Sequence, residues 1–161
     1  MCKTTKISKG QAVTDFLETT VDKFTFKVAG DRYYTPEGVW AKPEGSRVRI
    51  GLTDFLQQRS GDVAFAEVKP AGSAIGFGDE IAVIETIKVN ISLASPVHGV
   101  VAETNPAMAT APEAVNQDPY GAGWLADIEP KDWEADRLRL LDGETYFRVM
   151  KGQAEVEVKK L

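Results

Sequence analysis

Residues 84–99 read IETIKVNISLASPVHG, and the segment Ile84-Glu85-Thr86-Ile87-Lys88-Val89-Asn90 at its start decides how the chain folds. An apolar strand, residues 80–86, runs into it. A second strand start, Ser95-Pro96-Val97-His98-Gly99, follows soon after. Two strands so close in sequence predict a hairpin, with Lys88 in or beside its connection. A lysine there carries a solvated ammonium on a flexible stem that another protein can reach. Acylation would remove its charge and lengthen the arm. Spacing alone describes an ordinary solvated turn lysine.

The texture around this hairpin is that of a β protein. From Asp31 to about Pro130, short runs rich in Val, Ile and Phe are cut by Gly, Pro and Asp. Strands are expected at residues 48–52, 63–68, 80–86, 97–103 and 123–128. Many short strands at this spacing predict a sandwich or barrel. Between the first two, Thr53 opens a short helix with Phe55 and Leu56 inward, and Gly61 ends it. Trp124, after the turn Asp118-Pro119-Tyr120-Gly121, is the expected buried anchor of the sheet packing.

The flanks differ. Val13, Phe16, Leu17 and Val21 recur at i, i+3, i+4 and i+8, which predicts a helix over residues 9–22 with Ser8 as its N-cap. Phe24, Phe26 and Val28 alternate as in a strand. Residues 131–141 (KDWEADRLRLL) read as a helix with acidic residues in its first turn. Tyr146, Phe147, Met150 and Ala154 recur at helical spacing, and Glu155 to Lys160 reads as an alternating, charged tail. The division is therefore 1–30, 31–130 and 131–161. Apolar faces in both flanks predict folded attachments, since disordered tails are poor in such residues.

Composition limits the function. The 161 residues carry a net charge of -5, with 43% hydrophobic and 27% charged residues. This is an ordinary globular balance. A negative chain without a basic cluster is a poor nucleic-acid binder. No apolar run is long enough for a membrane span. The N-terminus has no apolar core of a signal peptide, and a single cysteine, Cys2, suits a reducing compartment, so a cytoplasmic location is expected. One cysteine and one histidine, His98, exclude a Cys/His zinc site within one chain, and no serine is singled out as a partner for His98. Gly72, Gly76 and Gly78 lack the lysine and helix of a phosphate loop and read as turn glycines. Asp79-Glu80, Glu134 and Asp136 read as solvated faces.

Several segments resemble, in order and spacing, the glycine cleavage system H-protein family and its H-like relatives. Glu85-Thr86-Ile87-Lys88 is similar to the family's Glu-Ser-Val-Lys lipoylation motif. Ala94 to Gly99 resembles its Ala-Pro-Val-Ser-Gly segment. Asn105, followed by residues 112–125 (PEAVNQDPYGAGWL), is similar to its most recognisable stretch. Tyr34-Thr35-Pro36-Glu37 with Trp40 is similar to its opening motif, and Gly51-Leu52-Thr53-Asp54 with Gly61-Asp62-Val63 resembles its Gly-Ile-Thr-Asp and Gly-Asp-Ile segments. The resemblance implies a mainly β fold, a hybrid barrel–sandwich lipoyl domain over 31–130, here with flanking N- and C-terminal helices. It implies a non-enzymatic carrier with lipoate in amide linkage on Lys88. Glu85 and Gly99 match positions read by the lipoyl-attaching ligase or transferase. The partners implied are multienzyme components, with the arm carrying an aminomethyl group in glycine cleavage.

The opening motif departs from the family's Thr-Pro-Glu-His-Glu-Trp. Gly38 and Val39 stand in place of the histidine and the second carboxylate, so that segment lacks the polar groups that would hold an aminomethyl amine. Val39-Trp40 and residues 130–134 (PKDWE) look closer to lipoate-binding relatives that serve a heterodisulfide-reductase-like complex in bacterial sulfur oxidation. That is the alternative partner set. A biotin carrier would flank its lysine with methionines, where this chain has Ile87 and Val89. An unmodified interaction module with an idle Lys88 is the third class.

Overall fold

The computed structural model describes residues 2–7 and 14–159. Three strands come first: β1 (Cys2–Ile7), β2 (Thr14–Val21) and β3 (Phe24–Ala29), an antiparallel sheet in the order β1-β2-β3. The expected N-terminal helix is therefore a strand; Ser8 and Val13 lie outside the described residues. The physical reason lies in pairing and composition. Thr14, Thr19, Thr20 and Val21 are β-branched and favour extended backbone. The two-residue turn Asp22-Lys23, with Asp22 at φ 57°, folds β2 directly onto β3, with Val21 opposite Phe24. Thr19 and Val21 face inward and Thr20 outward, the period of a strand.

The body follows with β4 (Tyr33–Tyr34), β5 (Val39–Glu44), β6 (Arg47–Leu52), α1 (Asp54–Ser60), β7 (Val63–Val68), β8 (Ala74–Ile75), β9 (Glu80–Thr86), β10 (Asn90–Ala94) and β11 (Gly99–Thr104). Two single-turn helices, α2 (Ala107–Thr110) and α3 (Ala114–Gln117), precede β12 (Ala126–Pro130). The chain then forms α4 (Trp133–Arg137) and α5 (Gly143–Lys159). A six-stranded sheet, ordered β4-β5-β6-β12-β11-β8, faces a three-stranded sheet, β10-β9-β7. Between them lies the first core, including Ile50 and Ile128 from one sheet and Ile81, Ile84 and Leu93 from the other. The arrangement is sandwich-like with helices at its flanks, and the described strands close no barrel. No helix among the described residues is long and apolar enough to cross a membrane.

A second core joins the flanks to the body. Val28 and Phe26 of β3, Tyr34 and Trp40 of the large sheet, Phe55 of α1 and Tyr146 and Met150 of α5 pack together. The described parts of both flanks thus bury apolar residues on the body. α5 extends further than expected. Glu155 to Lys159, read as an alternating tail, continues the helix. Asp142 accepts a hydrogen bond from the Thr145 amide at 2.8 Å and so caps the helix start; hydrogen bonding from the Thr145 side chain and then from its amide holds the carboxyl below the usual carboxylate range.

Trp40, rather than Trp124, is the buried tryptophan. It is 1% exposed, and its indole donates to the carbonyls of Leu52 and Pro119 at 2.9 and 3.0 Å. Gly51 makes room for it: a Cβ there would come within 2.5 Å of the indole ring. Trp124 is half-buried under the Arg49 guanidinium, 4.0 Å from the ring centre, and Arg49 is held in turn by Asp127 at 2.8 Å. Trp124 precedes β12 and packs, half-buried, on the rim of the second core.

Truncating a fully buried aromatic costs roughly 3–5 kcal/mol against total stabilities of about 5–15 kcal/mol. Trp40→Ala should therefore melt far below the parent, and Trp124→Ala should fall by clearly less. Thermal melts of the two variants check this, and an equal drop would contradict the assignment of the buried anchor. Amide exchange on the isolated protein tests the docked flanks. Protection across residues 16–28 and 144–151 is expected, while exchange within seconds would show that they do not pack on the body in solution.

Candidate functional site

A hairpin forms at Lys88, with Ile87, Lys88 and Val89 as its connection, but its second strand is β10 (Asn90–Ala94) rather than the one expected from Ser95, and β11 pairs instead with β8 and β12. In register, Glu85 pairs with Asn90 and Ile84 with Ile91. A three-residue tip leaves backbone amides without ladder partners, and Thr86 supplies the missing acceptor. Its hydroxyl accepts from the Lys88 and Val89 amides at 3.1 and 3.0 Å and donates to the Ser60 carbonyl at 2.7 Å. The Thr86 amide donates to the Val89 carbonyl at 2.8 Å and the Ile87 amide to the Asp62 carbonyl at 3.2 Å. The tip is thus closed on itself and tied to the end of α1.

That end of α1 is itself fixed. Thr53 caps the helix start, accepting from the Leu56 amide, and Gly61 ends it at φ +92°. Both were legible in sequence. Asn116 of α3 locks the corner: its amide nitrogen donates to the Gly61 carbonyl at 3.0 Å, and its oxygen accepts from the Val63 amide at 2.9 Å. Gly61 is also where Lys88 lies down. A Cβ on Gly61 would stand 3.0 Å from Lys88 Cδ. The Lys88 ammonium donates to the Arg59 carbonyl at 3.1 Å. Ile87, at 76% exposed, and Val89, at 44%, flank the lysine and face solvent.

Beside Lys88 opens a groove of about 240 Å³ that the sequence did not disclose. β3 contributes Phe24 and Phe26, α1 contributes Phe55 and Arg59, and α5 contributes Glu157 and Val158. Arg59 and Glu157 form an ion pair at 3.5 Å across its rim. Four distant stretches build this site, so no local motif could have pointed to it. Thr86 had a signal: a hydroxyl two residues before the hairpin lysine can bond its own turn.

The other candidates sit elsewhere. Glu85 is half-buried in β9, opposite Asn90 and Phe65. Gly99 starts β11 at the far end of β10 from Lys88, and packing requires a glycine there, since a Cβ would collide with the Glu129 carbonyl. His98 bonds Asp136 through Nδ1 at 2.8 Å, and the His98 amide donates to the same carboxylate at 2.9 Å. Asp136 is therefore not a solvated residue: it is 1% exposed and pins α4 to the β10–β11 connection. Burial pushes the phenols of Tyr34, Tyr120 and Tyr146 up, the last to about 12, so they remain donors. Tyr120 donates to the Lys27 carbonyl at 2.8 Å and so ties β3 to the body.

Replacing the Thr86 hydroxyl by a methyl tests the closure of the tip. Thr86→Val should lose about 1 kcal/mol per unmade bond and speed exchange of the Lys88 and Val89 amides while the rest of β9 stays protected. Unchanged exchange at those two amides would show that the hydroxyl does not hold the tip.

Residues 32–153 match the family model described as Glycine cleavage H-protein. The chain is 41% identical over 124 residues to the glycine cleavage system H protein of a Thermus thermophilus strain, covering 77% of this chain and 96% of that protein. It is 37% identical over 127 residues to a probable glycine cleavage system H protein of Pyrococcus horikoshii, covering 78% and 94%. Among solved structures, a glycine cleavage system H protein from Mycobacterium marinum superposes with a TM-score of 0.66 at 30% identity, covering 73% of this chain and 94% of that one. With so much of each relative spanned and the same segments in order, the chain belongs to the glycine cleavage H-protein family.

Proposed function

We propose that this protein is a lipoyl-lysine carrier of glycine cleavage, with lipoate in amide linkage to Lys88. Members of the family are non-catalytic carriers that work with glycine cleavage components and lipoyl-modifying enzymes. The observation that carries the assignment to this residue is the tip itself: Lys88 is exposed at the apex of a closed three-residue connection whose backbone is held by Thr86, Ser60 and Asp62. The facing sheets and the lysine at one hairpin support the hybrid barrel–sandwich reading of the lipoyl domain over residues 31–130.

The residues present fit such a group. An attaching ligase or transferase must reach a lysine amine without unfolding its surroundings, and Lys88 offers its amine from a rigid base on a mobile stem. Its single contact to a backbone carbonyl, that of Arg59, is easily exchanged for solvent. Exposed Ile87 and Val89 present apolar surface on both sides of it. Glu85, three residues before the lysine on the same hairpin, is placed for recognition by the attaching enzyme, and Gly99 acts through the close β11–β12 approach it permits. When bound, lipoate would supply a disulfide-containing arm that accepts and releases cargo; the protein supplies position and partner choice. The sulfur-oxidation alternative gains no support from the relatives described above.

Intact mass of the protein made in a lipoylating host should show one lipoyl addition, lost in Lys88→Arg, which keeps the charge but not the acylatable amine. A biotin addition, no addition, or a lipoyl addition that survives Lys88→Arg would each overturn the assignment.

A further inference from the structure

We propose that the outward face of the β10-β9-β7 sheet is the surface on which the lipoyl-attaching enzyme docks to reach Lys88, with Phe65 as its apolar anchor and Glu67 and Glu80 rimming a hollow beyond it. The enzyme that fits this face presents an apolar recess to Phe65 and a cationic side chain to the hollow. The inference rests on the lipoyl-Lys88 reading and names the partner surface of that same site.

The face follows from strand alternation. Ala66, Ile84 and Leu93 turn into the first core, so their neighbours along each strand turn outward. Cross-strand pairing sets two outward rows. Phe65 lies opposite Glu85, which lies opposite Asn90, and this row stands next to the tip. In the next row Glu67 lies opposite Val83, which lies opposite Ser92. A sheet face left to water ordinarily carries polar residues, yet Phe65 is 51% exposed. With Ile87 and Val89 it makes three of the six large apolar side chains exposed among the described residues, and all three stand at the Lys88 end of the sheet. Exposed apolar groups that converge on one spot mark a contact surface. The second row leads into a hollow of about 260 Å³ lined by Glu67, Lys69, Glu80 and Val83. At about 3.3 Å per strand residue, Val83 lies roughly 15 Å from the tip, within the footprint of one docked protein. Ser92 Oγ donates to Glu80 at 2.6 Å and holds that carboxylate in place. Lys69, exposed on a long stem, is the hollow's own cation and can turn into solvent.

Access, timing and charge choose the occupant. On the α1 side Lys88 is walled by Phe24, Phe26, Glu157 and Val158 of the flanks, so an active site closing on its amine has a clear approach over the small sheet. Before acylation there is no arm to recognise. An attaching enzyme must therefore read folded surface next to the lysine, whereas a later partner can hold the arm and its cargo. Glu67, Glu80 and Glu85 give this face a negative sign, as does the chain as a whole at -5. That sign selects a partner of positive surface and steers its approach. Carboxylates alone would serve any basic protein, and a large apolar side chain entering a recess fixes the position.

The test uses full-length unmodified protein, a lipoate ligase and lipoyl adenylate, from which the Lys88 amine takes the acyl group while AMP and a proton leave. Phe65→Ser should raise KM for the protein roughly tenfold. Glu67→Gln combined with Glu80→Gln should raise it roughly two- to fivefold per residue. Both should leave kcat unchanged, because the tip is intact. The parent's KM should rise with salt, and that of the double carboxylate variant should rise less. Lys88→Arg, which lacks the acylatable amine, should compete with the parent for the ligase and lose that inhibition when Phe65→Ser is added. The control is Leu138→Ser, 77% exposed after α4, which is pinned at the other end of β10; it should leave KM as it is. All the substituted side chains on the face are exposed, thermal melts check that each variant is folded, and the carboxylate pair decides alone if Phe65→Ser unfolds. Unchanged KM in both variants, a fall in kcat at constant KM, or an equal rise in Leu138→Ser overturns the docking face alone. So does inhibition by Lys88→Arg that survives Phe65→Ser. A lipoyl mass that appears elsewhere than on Lys88, or not at all, overturns it together with the carrier reading.

Discussion

The parallel stack of Tyr146 on Tyr34, with ring centres 4.5 Å apart, is the contact through which the rest of the molecule is coupled. Tyr146 belongs to α5 and Tyr34 to the first strand of the large sheet. The hydroxyl of Tyr34 donates to the Ala29 carbonyl and so holds the end of β3. The hydroxyl of Tyr146 pairs with Thr53 Oγ1 at 3.0 Å, the same oxygen that caps α1. One aromatic pair thereby joins both flanks and the helix that supports the hairpin. Its rings bring apolar area, and both buried hydroxyls are satisfied, which avoids the penalty of an unpaired buried donor.

From α1 the constraint passes to Lys88. The helix start is capped by Thr53, and its end is held by Asn116 and, through the Ser60 carbonyl, by Thr86. The proposed carrier role sets two opposed needs for this lysine. Its backbone must be rigid enough for an attaching enzyme to recognise, and its side chain free enough to travel. The hairpin meets the first by closing its own amides on Thr86 and the second by leaving the ammonium a single backbone contact.

The flanks change what surrounds that lysine. β3 and α5 pack on the body through the second core and bring Phe24, Phe26, Glu157 and Val158 to the groove. α5 reaches Glu157 because it continues as a helix to Lys159. An alternating tail would have put Glu155 and Glu157 on one face and Val156 and Val158 on the other. In the helix Val158 turns to the groove, while Val156 remains 55% exposed.

Much was legible in the sequence because it is local. The Thr53 cap, the Gly61 terminus, the strand alternation at Phe24, Phe26 and Val28 and the placing of Lys88 in a connection after the strand at 80–86 each follow from neighbouring residues, whereas the strand that closes the hairpin, Asn90–Ala94, was not read. The segment before Val21 was not, because Phe16, Leu17 and Val21 suit a helical stripe as well as a half-buried strand. Pairing with β3 through a two-residue turn decides between them. Likewise, Asp136 reads as one more acid on a charged helix until His98, 38 positions away, is found bonded to it. Which tryptophan is buried depends on the glycine that makes room for it across the strand pair. By itself, then, the sequence determined the elements governed by short-range chemistry and the family, and it singled out Lys88 as the lysine of the proposed carrier site. Only the tertiary structure decided the strand at the N-terminus, the burial of Trp40 and Asp136 and the groove beside Lys88, because each depends on contacts whose energy is realised only when distant segments meet.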